Sequence, residues 1–397
     1  MELTKKQEEG LRIAIDRYKN REKYTVIGGY AGTGKSTLVK FIISALSDYG
    51  IDPEIDVCYA AFTGKATQVL QRKGNPNVST LHKLLYTSVP KQSGGYIRIP
   101  KKVGEINYKI VVVDEVSMAP KTLIDLLFKH NCYVICLGDP FQLPPIDKKE
   151  DNGLLEKPHI FLDEVMRQAA ESEIIRLSMD IREQKPIKFF KGNEVQILNQ
   201  NDLSVGMMQW ADQILCGTNA TRLTLNNQMR QALGFEGPPQ DGDKIICLRN
   251  YWEEFDDNEN ALVNGTIGIL KNSFELENSL PYYIHPNVPK IAVIHGAFET
   301  EFGTVFDSLE MDRNMFDTGS TTLDWKTSYS LGRNIRTKHL VPKEYAYGYC
   351  ITCHKAQGSE WEKVLVVEES FPFATDEHAR WLYTACTRAS SRLVLVR

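Results

Sequence analysis

Length, composition and charge exclude several classes of protein. The chain has 397 residues, 42% of them apolar and 25% charged, which is typical of folded domains and excludes a disordered chain. The net charge of −4 gives no overall attraction to a polyanion. No apolar run reaches the roughly 18 residues of a membrane helix, and the N-terminus has no signal pattern. We expect a soluble, cytoplasmic protein of two or three domains.

Apolar runs and helical patterns alternate in the first part of the chain. A helix is predicted at 35–50, with an apolar face that includes Leu38, Phe41 and Ile42. Buried strands are predicted at 24–29, 56–62, 109–115 and 133–139. This alternation is typical of a parallel sheet covered by helices on both faces.

A second α/β group follows further along the chain. Strands are predicted at 211–219, 349–354, 363–369 and 391–397, and helices at 221–233 and 376–388. Between the parts of this group, residues 241–340 lack helical periodicity and contain short strand and turn patterns. The fold class is therefore α/β with two sheets, and we expect a small β-rich insertion in the second.

The eight cysteines are scattered and lie mostly in apolar runs such as "YVICLG", which favours buried free thiols in a reducing compartment. Cys350-Ile-Thr-Cys353-His354 has the spacing of a c-type haem attachment site. That hypothesis needs an exported chain and an axial partner, and a zinc site needs a second ligand pair at suitable spacing. The haem hypothesis is weak because the rest of the sequence supports none of its requirements. The zinc hypothesis is weak because Cys132 and Cys136 are predicted on a buried strand of the other domain.

Acidic residues are absent from 57 to 104, although the chain holds 51 of them. The same stretch contains several basic residues, namely Lys65, Arg72, Lys73, Lys83, Lys91, Arg98, Lys101 and Lys102. A solvated face is one explanation of the asymmetry. The other is a local binding surface for a phosphate backbone.

The sequence Gly29-Tyr-Ala-Gly32-Thr33-Gly34-Lys35-Ser36-Thr37 lies between a predicted strand and helix. This G-x-x-x-x-G-K-S pattern predicts a phosphate-binding loop, because glycines let backbone N–H groups approach phosphates. Lys35 would reach the β- and γ-phosphates, and the Ser36 hydroxyl would bind Mg²⁺. The chain is therefore predicted to bind a nucleoside triphosphate and Mg²⁺.

Two adjacent carboxylates follow the strand in "VVVDEVSM". After a phosphate-binding loop, Asp114 is predicted to hold the Mg²⁺ shell and Glu115 to polarise the attacking water. Gln142 in "GDPFQLPP" would meet the γ-phosphate. Arg167 and Arg388 are candidate arginine fingers, which would act when a cleft closes around the nucleotide.

The ordered motifs resemble those of superfamily 1B DNA helicases of the RecD/Dda group. The motifs are "GGYAGTGKST", "AAFTGKAT", "STLHKLL", "VVVDEVSM", "GDPFQLPP", "EVMRQAAES", "ITCHKAQGSEW" and "LYTACTRA". The resemblance implies two RecA-like P-loop domains that bind ATP between them and single-stranded DNA across them. It implies translocation from 5′ to 3′ and unwinding of duplex DNA.

The resemblance also implies domain boundaries and partners. Residues 1–85 and 107–165 would form the first RecA-like domain, and 86–106 a pin hairpin inserted in it. Residues 166–240 and 341–397 would form the second, with 241–340 as an SH3-like β-barrel insertion. The implied partners are single-stranded DNA, duplex junctions and replication or recombination proteins. A compact, monomeric, Dda-like enzyme without a membrane partner, in a bacterial or phage-infected cell, is expected.

Site residues follow from the resemblance by position. Gln7 matches the glutamine that reads adenine, while Gly358 and Glu360 match the nucleotide side of motif V. The predicted DNA contacts are Thr63, Lys65, Thr80, His82, Tyr96, Phe141 and His354. Tyr96 would be the wedge of the pin around Ser93-Gly94-Gly95, and the alternative is a basic hairpin that only contacts phosphates. Phe62 replaces the usual proline of motif Ia, where it could stack on a base, and core packing is favoured.

Two functions of other classes also fit parts of the sequence. A nucleotide or polynucleotide kinase would share the P-loop, but it has little use for Glu115, Gln142 or the second α/β group. The other alternative is a translocase that does not unwind, or a single-strand binding module with a degenerate ATPase. Such a binding module would lack Lys35, Glu115 or a finger arginine. Yet Lys35, Glu115 and both candidate finger arginines are present.

Overall fold

A computed structural model describes residues 3–90, 96–144, 148–166, 171–255, 261–277, 291–301, 303–324, 341–370 and 374–397. Within these ranges no helix has both the length and the apolar character needed to cross a bilayer. The helices are α1 (Lys5–Lys19), α2 (Lys35–Leu46), α3 (Gly64–Arg72), α4 (Leu81–Leu85), α5 (Lys121–Leu127), α6 (Glu173–Arg182), α7 (Val205–Trp210), α8 (Asn219–Ala232), α9 (Arg313–Thr318), α10 (Cys353–Ala356) and α11 (Thr375–Cys386).

The strands are β1 (Tyr24–Gly29), β2 (Val57–Ala61), β3 (Val78–Thr80), β4 (Tyr86–Pro90), β5 (Tyr96–Pro100), β6 (Ile110–Asp114), β7 (Tyr133–Gly138), β8 (Ile160–Leu162), β9 (Phe190–Lys191), β10 (Val195–Leu198), β11 (Gln213–Cys216), β12 (Lys244–Cys247), β13 (Tyr251–Phe255), β14 (Ala261–Leu262), β15 (Ile267–Glu277), β16 (Ala292–Thr300), β17 (Val305–Asp312), β18 (Tyr345–Tyr347), β19 (Cys350–Thr352), β20 (Trp361–Val367) and β21 (Ala389–Val396). Contacts divide the chain into two compact units. Unit 1 contains 1–89, 98–202 and 356–397, and unit 2 contains 90–97 and 203–355.

Unit 1 contains a parallel six-stranded sheet in the order β3-β2-β6-β7-β1-β8. Its central strands are buried along nearly their whole length, as expected for a sheet with helices on both faces. One apolar cluster joins the sheet to α1, α2 and α3, and a second joins the other face to α4 and α5. The predicted parallel sheet is confirmed, and the carboxyl ends of β1, β6 and β7 lie at one edge.

Helix α1 is not among the predicted elements, although Leu11, Ala14 and Tyr18 recur at helical spacing and contribute to the first apolar cluster. Its start is fixed by a capping box between Thr4 and Gln7.

Unit 1 also contains a second group of strands, formed by β20, β21, β10 and β9. The first three are parallel neighbours, and β9 is antiparallel to β10. Helix α11 packs against α6, and it begins one residue before the predicted 376–388. Strands β4 and β5 form a separate two-stranded sheet, and the predicted turn at 93–95 lies outside the described residues.

Unit 2 is rich in antiparallel strands. A five-stranded sheet has the order β17-β16-β15-β12-β18, and all its neighbours are antiparallel. This confirms that the 241–340 region is rich in strands, although β18 extends the sheet beyond residue 340. Strands β11 and β19 of this unit pair in parallel, and α8 packs against both.

All eight cysteines are free and buried, as the apolar surroundings of the sequence predicted. Burial raises the pKa of the Cys58 thiol to about 12 and that of Cys132 to about 11. Cys350 and Cys216 are neighbours on adjacent strands, with their sulfur atoms 3.5 Å apart. These thiols are therefore packing groups of the sheets.

Candidate active site

The loop between β1 and α2 has a backbone shape that favours glycine at two positions. Gly32 and Gly34 have φ angles of 74° and 79°, in the left-handed region that other residues rarely adopt. A Cβ atom at Gly34 would lie 2.4 Å from Nε2 of Gln7. Because Gly34, the N-cap of α2, has no side chain to cap the helix, the first backbone N–H groups of α2 are left for an anion.

Lys35 lies over this loop. Its ammonium donates to the carbonyl oxygens of Gly29 at 2.7 Å and Tyr30 at 2.9 Å. The Thr33 hydroxyl donates to the same Tyr30 oxygen at 2.8 Å. The Ser36 side chain is exposed and Thr37 is half-buried. A positive charge and an accessible hydroxyl are therefore held at the start of α2, where phosphates would bind.

Gln7 joins α1 to the P-loop. Its Oε1 accepts from the Thr4 backbone N–H at 3.0 Å, and the Thr4 hydroxyl accepts from the Gln7 N–H at 3.3 Å. The Gln7 Nε2 donates to the Thr33 carbonyl oxygen at 3.3 Å. The side chain is 1% exposed. The capping box thus directs the Gln7 amide at the loop, and its reading of adenine stays a prediction.

The acidic pair lies at the carboxyl end of β6. Glu115 has φ 49° and ψ 48°, a left-handed conformation that is uncommon for a residue with a side chain and typical of functional sites. Its backbone N–H donates to Oδ1 of Asp114 at 3.0 Å. Burial, which is the larger cause, and the Glu115 charge together raise the pKa of Asp114 to about 6. The amide of Asn152 supports the turn by donating to the carbonyl oxygens of Val116 and Ala119 at 2.8 Å.

The oxygen donors present here fit a magnesium ion. Mg²⁺ is commonly held by one or two carboxylates together with substrate phosphates, and the site offers the Asp114 carboxylate and the exposed Ser36 hydroxyl. Burial and the nearby Glu115 charge, which raise the Asp114 pKa in that order, both disfavour the ionised carboxylate, and a cation would offset them.

Gln142 connects Glu115 to Arg388. The amide is oriented to satisfy both neighbours, so that Nε2 donates to Glu115 Oε2 at 3.3 Å and Oε1 accepts from Arg388 Nη2 at 3.2 Å. Arg388 is 5% exposed, and its guanidinium also donates to the carbonyl oxygens of Thr384 and Ser359 at 3.0 and 3.2 Å. Three predicted catalytic residues therefore meet within one unit. Arg167 lies outside the described residues.

Two buried residues of this site were quoted in motifs without being given a role. The Tyr383 hydroxyl donates to Asp139 at 2.5 Å and accepts from the Ala31 backbone N–H at 2.8 Å. Asp139 follows a buried strand in "GDPFQ", which is a sequence signal for a site residue. Tyr383 offered no such signal, because an aromatic residue in an apolar helix is usually part of a core.

The motif V segment packs against the start of α3. Gly358 has a φ angle of 72°, and a Cβ atom there would lie 3.2 Å from Cβ of Ala66 and 3.3 Å from Oγ1 of Thr63. Glu360 is exposed. Gly358 therefore lies beside motif Ia, and the nucleotide contacts of Gly358 and Glu360 stay predictions.

Two predicted DNA contacts cap helices. The Thr63 hydroxyl accepts from the Ala66 N–H at 3.2 Å at the start of α3, and Thr80 accepts from the Lys83 N–H at 3.2 Å at the start of α4. Each hydroxyl proton is left to donate elsewhere. Lys65 is 5% exposed, and its ammonium lies 4.2 Å from the centroid of the Trp361 ring.

The aromatic candidates have different surroundings. Phe62 packs against the apolar cluster of unit 1, which confirms core packing for this residue. The ring of Phe141 meets Tyr383 edge-on, with 5.1 Å between centroids.

Burial lowers the pKa of His82, and the Arg98 charge lowers it further. In unit 2, Tyr96 lies in β5, and burial lowers the pKa of His354. The DNA roles of Lys65, Phe141, His82, Tyr96 and His354 stay predictions.

Comparison with known families assigns this site to a class. The chain belongs to the AAA domain family, whose sequence model matches residues 2–203. A second model, the UvrD-like helicase C-terminal domain, matches residues 347–396. The two matches include the P-loop, the acidic pair, Gln142 and Arg388.

Two relatives indicate which group of helicases this chain resembles. The ATP-dependent DNA helicase dda of Enterobacteria phage T4 is 29% identical over 158 residues, which are 39% of this chain and 35% of the phage protein. The ATP-dependent RecD2 DNA helicase of Deinococcus radiodurans is 25% identical over 401 residues, 93% of this chain and 46% of that protein. This chain thus spans less than half the length of both helicases. The resemblance to superfamily 1B helicases of the RecD/Dda group is confirmed.

The fold also has solved counterparts. The crystal structure of Pif1 helicase from Bacteroides in complex with ADP-AlF3 and ssDNA has a TM-score of 0.52 and 16% identity, covering 100% of this chain and 92% of that one. Pif1 helicase from Candida albicans has a TM-score of 0.51 and 19% identity, with coverage of 100% and 94%. The chain therefore has a RecA-like α/β helicase fold.

Proposed function

We propose that this chain is an ATP-dependent DNA helicase that moves from 5′ to 3′ along single-stranded DNA and unwinds duplexes. The observation that supports it best is the contact chain from Glu115 through Gln142 to Arg388. A general base, a γ-phosphate sensor and an arginine finger are the groups that ATP hydrolysis needs at one point. The names of the phage T4 and Deinococcus relatives support DNA as the substrate.

In the proposed reaction the protein positions ATP and polarises a water molecule. Lys35 exchanges its carbonyl partners for the β- and γ-phosphates, while the N–H groups at the start of α2 bind the phosphate oxygens. The Glu115 carboxylate accepts a proton from the attacking water, and Gln142 and Arg388 stabilise charge that develops on the γ-phosphate. Mg²⁺, held by Ser36 and Asp114, would neutralise charge on the phosphate oxygens.

The contact of Gln142 with Arg388 also suggests how hydrolysis is coupled to movement. Arg388 follows α11, whereas Gln142 and Glu115 follow strands of the six-stranded sheet. A bound γ-phosphate would add a further charge between these groups, so its loss would weaken the closed arrangement and favour separation of the two α/β parts after hydrolysis. Repeated closing and opening would move the strand past alternating DNA contacts.

The DNA path is part of the proposal. Thr63, Thr80, His82 and His354 would contact the backbone or bases, and Arg167 would be a second finger. Residues 86–106 would be the pin, and 241–340 an SH3-like insertion in a second RecA-like domain that comprises 166–240 and 341–397. The two-stranded β4–β5 sheet supports the pin, and the antiparallel sheet of unit 2 supports the insertion. The enzyme would act as a monomer at single strands and duplex junctions.

The kinase alternative predicts a different set of groups. A kinase needs a base placed to activate an acceptor hydroxyl, whereas Glu115 here contacts a glutamine that itself binds an arginine. A binding module without hydrolysis has no need of the left-handed strain at Glu115. Hydrolysis is therefore the better proposal.

The test is ATP hydrolysis with and without single-stranded DNA, followed by unwinding of duplexes with a 5′ or a 3′ tail. We expect DNA to stimulate hydrolysis and only the 5′-tailed duplex to be unwound. Lys35→Ala should abolish both activities. Unwinding from the 3′ tail alone would contradict the polarity, and hydrolysis without DNA stimulation would contradict the helicase.

A further inference from the structure

Tyr383 joins two separate parts of the nucleotide site through one buried hydroxyl. The oxygen accepts from the backbone N–H of Ala31 in the P-loop at 2.8 Å. It donates to Oδ2 of Asp139 at 2.5 Å. Both side chains are 1% exposed, so water does not compete for these hydrogen bonds.

Asp139 transmits this contact to the turn that holds Gln142. Its Oδ1 accepts from the backbone N–H of Phe141 at 2.9 Å, and its carbonyl oxygen accepts from the backbone N–H of Gln142 at 3.3 Å. The carboxylate therefore fixes the start of the turn, and the Gln142 side chain leaves that turn toward Glu115 and Arg388.

The same helix holds the turn at two more points. Arg380 donates to the carbonyl oxygen of Pro140 at 2.7 Å, and the Thr384 hydroxyl accepts from the backbone N–H of Leu143 at 3.0 Å. Either of these contacts would keep the turn attached to α11. Among the contacts described for α11, only that of the Tyr383 hydroxyl also reaches the P-loop.

Protonation favours this arrangement. Burial raises the pKa of Tyr383 far above its usual range, so its proton stays on the phenol. Burial also raises the pKa of Asp139, while the Lys35 charge and the Tyr383 hydrogen bond lower it. Both carboxyl oxygens of Asp139 accept hydrogen bonds, Oδ1 from the Phe141 N–H and Oδ2 from the Tyr383 hydroxyl, which is the pattern of an ionised carboxylate. A hydrogen bond from a phenol to a carboxylate is among the stronger kinds.

We propose that Tyr383 is a positioning residue that sets the distance between the P-loop and Gln142. This inference rests on the proposed ATP hydrolysis. Tyr383 acts through Asp139 and Ala31 rather than by contact with the γ-phosphate. Its hydroxyl keeps the sensor aligned with a phosphate that the P-loop holds, so its loss affects the chemical step more than nucleotide binding.

The main experiment compares two buried tyrosine hydroxyls in full-length protein. Tyr383→Phe should lower the kcat of DNA-stimulated ATP hydrolysis about tenfold and change the KM for ATP by less than about twofold. Tyr133→Phe is the matched control. The Tyr133 hydroxyl is also buried and contacts Thr25 at 2.5 Å and the Ala14 carbonyl oxygen at 3.2 Å, outside the nucleotide site. The Tyr133→Phe variant should leave kcat and KM unchanged, even if both variants lower the melting temperature equally.

A double-mutant cycle separates positioning from general loss of stability. If Tyr383 acts through the sensor, Tyr383→Phe in a Gln142→Ala background should cause little further loss of kcat. Asp139→Asn, which leaves α11 unchanged, should reproduce the Tyr383→Phe effect. Additive losses in the cycle, or a Tyr383→Phe enzyme with the kcat of the Tyr133→Phe control, would overturn the inference. A wild-type chain that hydrolyses no ATP would overturn the proposed function itself, and this inference with it.

Discussion

At the scale of single residues, the left-handed backbone at Glu115 is the clearest sign of function. The strain is tolerated because Asn152 and the adjoining turn hold the chain there, and it directs the carboxylate toward Gln142. Glu115→Gln keeps the shape and removes the base. We expect kcat to fall by roughly 10² or more, while nucleotide binding persists in a fluorescence titration. Lys35→Ala should instead weaken nucleotide binding, and equal binding defects in the two variants would contradict these roles.

Asp114 and Asp56 have pKa values shifted in opposite directions, which makes a paired test of stability. The pKa of Asp114 is raised to about 6. Its ionised form therefore destabilises the fold above pH 6, and this destabilisation is absent below the usual aspartate pKa of roughly 3.8. Asp114→Asn should therefore raise the melting temperature at pH 8, with the gain fading between pH 6 and 4. It should also abolish hydrolysis.

Asp56 is the matched control for this substitution. The hydrogen bond from the Asp52 backbone N–H lowers the pKa of Asp56 most, and Lys109 lowers it further. The ionised form of Asp56 therefore stabilises the fold at pH 8. Asp56→Asn should therefore lower the melting temperature at pH 8, and the loss should shrink as the pH falls toward the lowered pKa. Changes of the same sign in both variants would contradict the assigned environments.

At the scale of elements, α1 combines a structural and a binding role in one glutamine. Gln7→Glu keeps an acceptor for the Thr4 N–H but removes the amide donor to Thr33. We expect it to weaken ATP binding and also to lower the melting temperature, because it places a carboxylate beside the buried Thr33 carbonyl oxygen. Thr4→Ala should destabilise the fold by about 1 kcal/mol through the lost cap without altering ATP binding. Isothermal titration and thermal unfolding together distinguish the outcomes, and unchanged ATP binding in Gln7→Glu would contradict the role of Gln7.

Strands with continuous apolar runs and several helices of mixed burial, namely α2, α8 and α11, were predictable from the sequence, whereas contacts between distant elements were not. Strands β1, β2, β6 and β7 are buried on both faces, so their composition alone identifies them. Glu115 and Gln142 could be placed near each other because parallel strands end at one edge of the sheet. The approach of Arg388 and Tyr383 depends on packing between elements far apart in the chain, which no local pattern encodes.

At the scale of the whole molecule, a net charge of −4 means that any DNA affinity must come from a local surface. The acid-free stretch from 57 to 104 offers one, and Lys83 and Lys102 are exposed on it. Each lysine that neutralises a phosphate should contribute about 0.7 to the slope of log K against log salt concentration for single strands.

Replacing both Lys83 and Lys102 with alanine should therefore lower this slope by about 1.4, measured by fluorescence anisotropy with an oligonucleotide over a series of salt concentrations. Lys121→Ala is the control, because Lys121 is also exposed but lies on α5, 3.7 Å from Asp125. It should leave the slope unchanged. A weaker affinity with an unaltered slope in the double variant would mean that these lysines support the fold rather than contact phosphates, and the DNA path would then have to lie elsewhere on the molecule.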